Sequence, residues 1–150
     1  MRPLRWLALV PLLAAAGCTP PPPPPPTVVE ITLTATPDVN PDGSGKAAPV
    51  TVKVYQLGAT GTFQKLDFFQ LYGKEQAALG ADLAGEDQAT LAPGQSQTMT
   101  VTLKPTATAI GVLVAYRDID HAQWRAASEP PAHKTTKLAV TVGKLAVTAK

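Results

Sequence analysis

At 150 residues the chain has room for one domain with a substantial core, and not for two. Its formal charge of +2 includes Arg2 and Arg5; without them Lys+Arg falls from 13 to 11 and equals Asp+Glu at 11, so no basic run recommends a nucleic acid as partner. A single cysteine excludes an internal disulfide and a multi-thiolate metal site, and few aromatics among many Thr, Val, Ala and Pro favour strands and turns.

The first element in chain order is a leader. Arg2 and Arg5 make a positive start, "WLALVPLLAAA" an apolar middle too short to span a bilayer as a mature helix, and Ala15, Ala16 and Gly17 lead into Cys18. "AAGC" resembles the bacterial lipobox, with Ala15 where leucine is usual, so residues 1–17 are expected to be a signal peptide and Cys18 the site of lipid attachment. The plainer alternative is ordinary signal cleavage that leaves Cys18 a stray thiol. Several acyl chains hold firmly to a membrane, at about 0.8 kcal/mol per buried methylene. Thr19, rather than Asp, after the cysteine resembles an outer-membrane address. Pro20 to Pro26 favour a polyproline II rod about 20 Å long, which makes residues 18–27 a lipidated tether.

From Thr27 onward the period becomes two. Val29, Ile31, Leu33 and Ala35 alternate with Glu30, Thr32, Thr34 and Thr36, the pattern of a half-buried strand. "PVTVKVYQL" repeats it with Val50, Val52 and Val54, and "QTMTVTL" with Met99, Val101 and Leu103. "AIGVLVAY" is continuously apolar, as a central strand covered on both faces would be. In "TKLAVTVGKLAVTAK" the phase of Leu138, Val140 and Val142 slips before Leu145 and Val147, predicting a bulge or tight hairpin at Gly143. Between the second and third strands, "FQKLDFFQLYGKEQAALGADL" holds Phe63, Leu66, Phe69, Leu71, Leu79 and Leu83; Leu66, Phe69 and Gln70 roughly follow helical spacing, and Gly73 and Gly80 interrupt it. The expectation is an all-β domain over residues 28–150, a β-sandwich with a short helical insertion at about 63–84.

Few side chains carry chemistry. Asp38, Asn40, Asp42 and Gly43 in "DVNPDGSGKAAP" reproduce the start of a calcium loop, but position twelve is Pro49 rather than Glu, position four is Pro41, and the flanks read as strands. A connecting loop rich in turn formers accounts for the stretch better. Asp118, Asp120 and His121 form no standard ligand set and read as a solvated turn. Trp124 reads as packing, while Arg125 is either a snorkelling cation or a contact residue. His133 sits in a loop-like "EPPAHKTT", and Ser44, Ser96 and Ser128 lack a nucleophile elbow or an evident His partner. Without a P-loop, GxGxxG or HExxH, nothing recommends catalysis or a cofactor.

In their order and spacing, "AAGC", "DVNPDGSGKAAPVTVKVYQL", "FQKLDFFQLYGKEQAALGADL", "LAPGQS" and "AIGVLVAYRDIDHAQWR" resemble the TssJ family, the outer-membrane lipoproteins of bacterial type VI secretion. The resemblance implies a transthyretin-like β-sandwich with a helical addition, lipid-anchored in the outer membrane and facing the periplasm. It implies a non-enzymatic role: holding the periplasmic C-terminal region of the inner-membrane protein TssM. It places much of that contact in the loop of residues 37–49, on Pro37, Asp38, Val39, Asn40, Pro41, Asp42 and Gly43. The loop suits such work, because its prolines lower the entropy lost on docking and Gly43 and Gly45 permit tight turns. Replacing Asn40, Pro41 and Asp42 by Gly-Ser-Gly is expected to weaken docking without lowering thermal stability. The second reading is a periplasmic lipoprotein that binds carbohydrate or calcium, although the aromatics outside the expected core are too few for a sugar platform.

Overall fold

The computed structural model describes residues 20–150, so Cys18 and the leader lie outside the described residues. Among the described residues, eight strands form two four-stranded sheets. One has the order β4 (Ser96–Thr102), β1 (Val28–Ala35), β7 (Thr135–Val142), β8 (Val147–Ala149). The other has the order β3 (Leu83–Leu91), β2 (Val50–Leu57), β5 (Ala109–Ala115), β6 (Arg125–Ser128). Every pairing is antiparallel except β1 with β7. Among the described residues no helix is long and apolar enough to cross a membrane.

Alternation in the sequence becomes burial in the sandwich. Val29, Ile31 and Leu33 of β1 and Val52 and Val54 of β2 are fully buried and meet Val112, Val114, Val140 and Val142 in the core between the sheets. The opposite face of the first sheet is open and hydroxylated. Thr32 pairs across from Thr98, and Ser96 Oγ donates to Thr34 Oγ1 at 3.0 Å.

The opposite face of the second sheet is covered, and the helical insertion covers it. Helices α1 (Gly61–Lys65), α2 (Phe68–Leu71) and α3 (Glu75–Leu79), with a 3₁₀ turn at Gly80–Asp82, bury Phe63, Phe68, Leu71 and Leu79 against Tyr55, Leu57, Ala109 and Leu113. With apolar layers on both sides, β5 is the central strand its sequence suggests. Gly111 leaves room for the layer above it: a Cβ there would lie 2.8 Å from Leu57 Cδ1 of the neighbouring strand and 3.3 Å from the Phe63 ring of the insertion.

The structure corrects several local expectations. The insertion occupies residues 61–82, and Leu83 opens the edge strand β3 rather than closing a helix. Neither β3 nor β6 was expected. The apolar residues of the insertion do not share one helical face, because the chain leaves α1 in an extended conformation at Leu66 and restarts at an Asp67 capping box. That reset turns Phe68 inward and leaves Phe69 68% exposed. At Gly143 the chain makes the tight hairpin, with Gly143 N–H donating to Ala146 O at 2.8 Å.

Candidate partner-contact loop

Strand β1 fixes where the two ends of the domain lie. The proline segment enters at Val28, and the loop of residues 37–49 follows Ala35 at the other end of the same strand. The loop therefore caps the end of the sandwich remote from the proline segment.

Within it the expected contact residues divide into a frame and a displayed turn. Val39 is fully buried in the core, and Asn40 is 2% exposed. Asn40 adopts a left-handed backbone (φ 48), which asparagine tolerates better than most residues. Its N–H donates to Lys144 O at 3.0 Å and its Nδ2 to Pro49 O at 2.8 Å, while its Oδ1 accepts from Arg117 N–H at 2.8 Å. Asn40 thus ties together the loop, the turn after β5 and the β7–β8 hairpin. Replacing it leaves buried polar groups unpartnered, at about 1–3 kcal/mol. An exchange of Asn40 for glycine is accordingly a stability mutation as well as a loop mutation, against the expectation from sequence.

Pro41 to Lys46 form the displayed part. Asp42 Oδ1 accepts from Ser44 N–H at 2.9 Å, Ser44 Oγ at 2.6 Å and Lys46 N–H at 3.0 Å, and Gly45 turns the chain at φ 82. The Ser44 hydroxyl bond, followed by the Lys46 amide bond, holds the Asp42 carboxyl below its ordinary range. Pro37 and Asp38 are exposed at the loop's entry, where Asp38 Oδ1 accepts from Thr36 Oγ1 at 2.7 Å. The oxygens that suggested a calcium loop do not converge: Asn40 is turned inward and Asp42 serves its own turn. Among the described residues no group of three or more His, Cys, Asp and Glu is placed to hold a metal.

Facing the displayed turn is the segment after β5. Pro41, Asp42 and Gly43 line a shallow cleft of about 510 Å³ with Arg117 and Asp118. Asp118 Oδ1 lies 2.7 Å from His121 Nδ1, and that hydrogen bond raises the imidazole pKa. Arg117 has no motif to mark it, and its role is visible only when the fold brings it to Asn40, 77 positions away.

The other candidates are structural. Trp124 packs edge-on against Phe68 at 5.5 Å. Arg125 lies over the Trp124 ring and donates to Phe63 O and Leu66 O, fastening the insertion to β6. The hydroxyls of Ser44 and Ser96 are bonded to Asp42 and Thr34, and Ser128 is half-buried in β6. Phe69 and Tyr72 are aromatics outside the core, yet Tyr72 is stacked on Phe68 at 5.0 Å and lies beneath Lys53 Nζ. Among the described residues no pair of free ring faces is left as a sugar platform.

Residues 27–145 match the family of type VI secretion lipoproteins described as VasD, EvfM and TssJ. The chain belongs to this family. The crystal structure of the T6SS lipoprotein TssJ1 from Pseudomonas aeruginosa is similar to it at 36% identity and a TM-score of 0.81, over 84% of this chain and 96% of that one. Serratia marcescens Lip, described as a membrane-bound component of the type VI secretion system, shares the family fold at 24% identity and a TM-score of 0.77, over 83% of this chain and 96% of that one. The same fold occurs in a chain of the structure described as the T6SS protein TssM C-terminal domain (869-1107) from EAEC, at 20% identity and a TM-score of 0.66, over 82% of this chain and 97% of that one. No curated protein matches the chain.

Proposed function

We propose that the protein is a non-enzymatic lipoprotein of the outer membrane. Acyl chains on Cys18 hold it there, residues 1–17 are the cleaved signal peptide, and the sandwich of residues 28–150 binds the periplasmic C-terminal region of TssM. It thereby anchors the type VI secretion membrane complex.

The observation that carries this reading is the placement of tether and loop at opposite ends of β1. Eight residues at about 3.3 Å each separate them by about 26 Å, and seven prolines add about 20 Å. The displayed turn then stands at most about 45 Å from the lipid, at the end of the sandwich opposite the one the proline arm enters. The turn is also pre-formed: three bonds to Asp42 and the Asn40 frame hold it before any partner arrives, which reduces the entropy lost on docking.

The family supports the reading. So does the matched chain in the structure described by its TssM fragment.

The test separates anchoring from docking. Cys18→Ser should leave the membrane pellet yet bind the TssM C-terminal region with undiminished affinity. Asp42→Ala, which loosens the displayed turn while Asn40 keeps its frame, should weaken binding at least tenfold in a calorimetric titration and leave the melting temperature within a few degrees. Unchanged affinity would remove residues 41–46 from the contact.

A further inference from the structure

The root of the proline segment is fastened to the domain. A proline has no N–H, so the backbone of a polyproline strand can be hydrogen-bonded only by donors brought to its carbonyls. The β6–β7 loop brings one. His133 Nδ1 lies 2.9 Å from Pro25 O, and because a carbonyl can only accept, the ring nitrogen there carries the proton. The backbone N–H of the same residue donates to Thr27 Oγ1 at 2.8 Å. Thr27 O in turn accepts from Leu103 N–H at 2.9 Å, and Val28 N–H donates to Lys134 O at 3.0 Å.

His133 makes both of its bonds from a left-handed backbone (φ 60). Outside glycine such a conformation is uncommon and persists only where its surroundings hold it. Beneath the fastened segment runs a crevice of about 550 Å³, bordered by Pro23 to Thr27 on one side and by Leu103, Pro105, Ala107 and Thr108 on the other. The segment is therefore braced at Pro25 and Thr27 and lies along the domain rather than springing freely from Val28.

We infer that His133 and Thr27 form a clamp that sets the direction in which the proline arm leaves the sandwich, making it a rigid strut instead of a leash. A polyproline rod keeps its direction over several residues, so fixing its root fixes the orientation of the whole domain relative to whatever holds the far end. A free root would let the 37–49 loop sweep over a hemisphere; a clamped one keeps it pointed along the arm.

The experiment measures the spread of directions. In the Cys18→Ser chain, spin labels on Pro21→Cys and Thr98→Cys report the distance from arm to sheet by double electron–electron resonance. A clamp gives a single narrow distribution. Thr27→Val with His133→Ala should at least double its width, and Thr27→Ser, which keeps the hydroxyl, should restore it. Two glycines inserted between Pro24 and Pro25 supply the leash reference without touching the sandwich. The inference is overturned if the parent is already as broad as that reference, or if the double variant, folded by its melting curve, stays narrow.

Discussion

The two sheets of the sandwich share one core and differ in what lies on their outer faces. The β4-β1-β7-β8 sheet turns a face of hydroxyls to water, where Thr32, Thr98, Thr34 and Ser96 bond to one another across strands. The β3-β2-β5-β6 sheet has its outer face under the helical insertion, where Tyr55, Leu57 and Leu113 are fully buried. A singly covered sheet writes a clean period of two, and a doubly covered one does not. The second sheet also encloses a charge, because Lys53 on its outer face lies under the insertion and is met by Glu75. Stability that depends on outer-face side chains should therefore be concentrated in one sheet.

The sharpest way to break that contrast is Phe63→Ala. Phe63 is fully buried in the outer layer, edge-on to Tyr55 at 5.9 Å. Truncation should cost about 3–5 kcal/mol in chemical denaturation, as for other buried aromatics. The loss should appear in one cooperative transition. Two separated transitions would show that the insertion melts on its own and that the outer layer does not support the sheet beneath it.

A smaller effect should come from the enclosed charge. Glu75 Oε1 accepts from Lys53 Nζ, from Gly73 N–H at 3.0 Å and from Tyr55 OH at 3.3 Å. Burial by itself raises the Glu75 pKa, but the bonds from Lys53 and the backbone outweigh it and the net shift is downward from 4.5. Burial first, and then the Glu75 charge, pushes the Tyr55 phenol far above its usual range and keeps it a donor. A carboxyl whose folded pKa lies below its unfolded one adds stability above the unfolded value, and that stability is lost as pH falls through the folded value. Glu75→Gln should thus cost about 1–3 kcal/mol at pH 7, and the gap from the parent should narrow as pH drops below about 4.5. Melting curves across that range check it. A gap that stayed constant would mean that the carboxylate charge contributes nothing there.

The same contrast explains what could be read in advance. Strands β1 and β7 were legible because each has one wet face, and β5 because two apolar layers make a run of seven apolar or small residues. Strand β3 was not, because its middle, Gly85 to Gln88, is an edge of polar and β-disfavoured residues whose partner is supplied by β2. Strand β6 is four residues long and is held by its pairing with β5. The presence of the insertion could be read, but its facing could not, since the restart at Asp67 decides between Phe68 and Phe69 and no periodicity crosses it. In the loop of residues 37–49, Pro37, Pro41 and Gly43 announce a turn. The inward role of Asn40 depends on Arg117 and Lys144, both far along the chain, and no local pattern encodes that.

The smallest expected effect lies on the open sheet. Thr98 is exposed, and its hydroxyl meets Thr32 at 3.3 Å in a position where water substitutes for either partner. Valine keeps the β-branched shape that suits a strand and removes only the hydroxyl. The lost bond and the regained solvent exchange nearly cancel, so Thr98→Val should shift stability by no more than about 0.5 kcal/mol in either direction. The double variant with Thr32→Val should do little more, because the two methyls that replace the hydroxyl pair make a cross-strand apolar contact of comparable worth. A loss above about 1 kcal/mol from Thr98→Val would mean that this face is packed rather than solvated, and the asymmetry between the sheets would then rest on burial alone and not on energy.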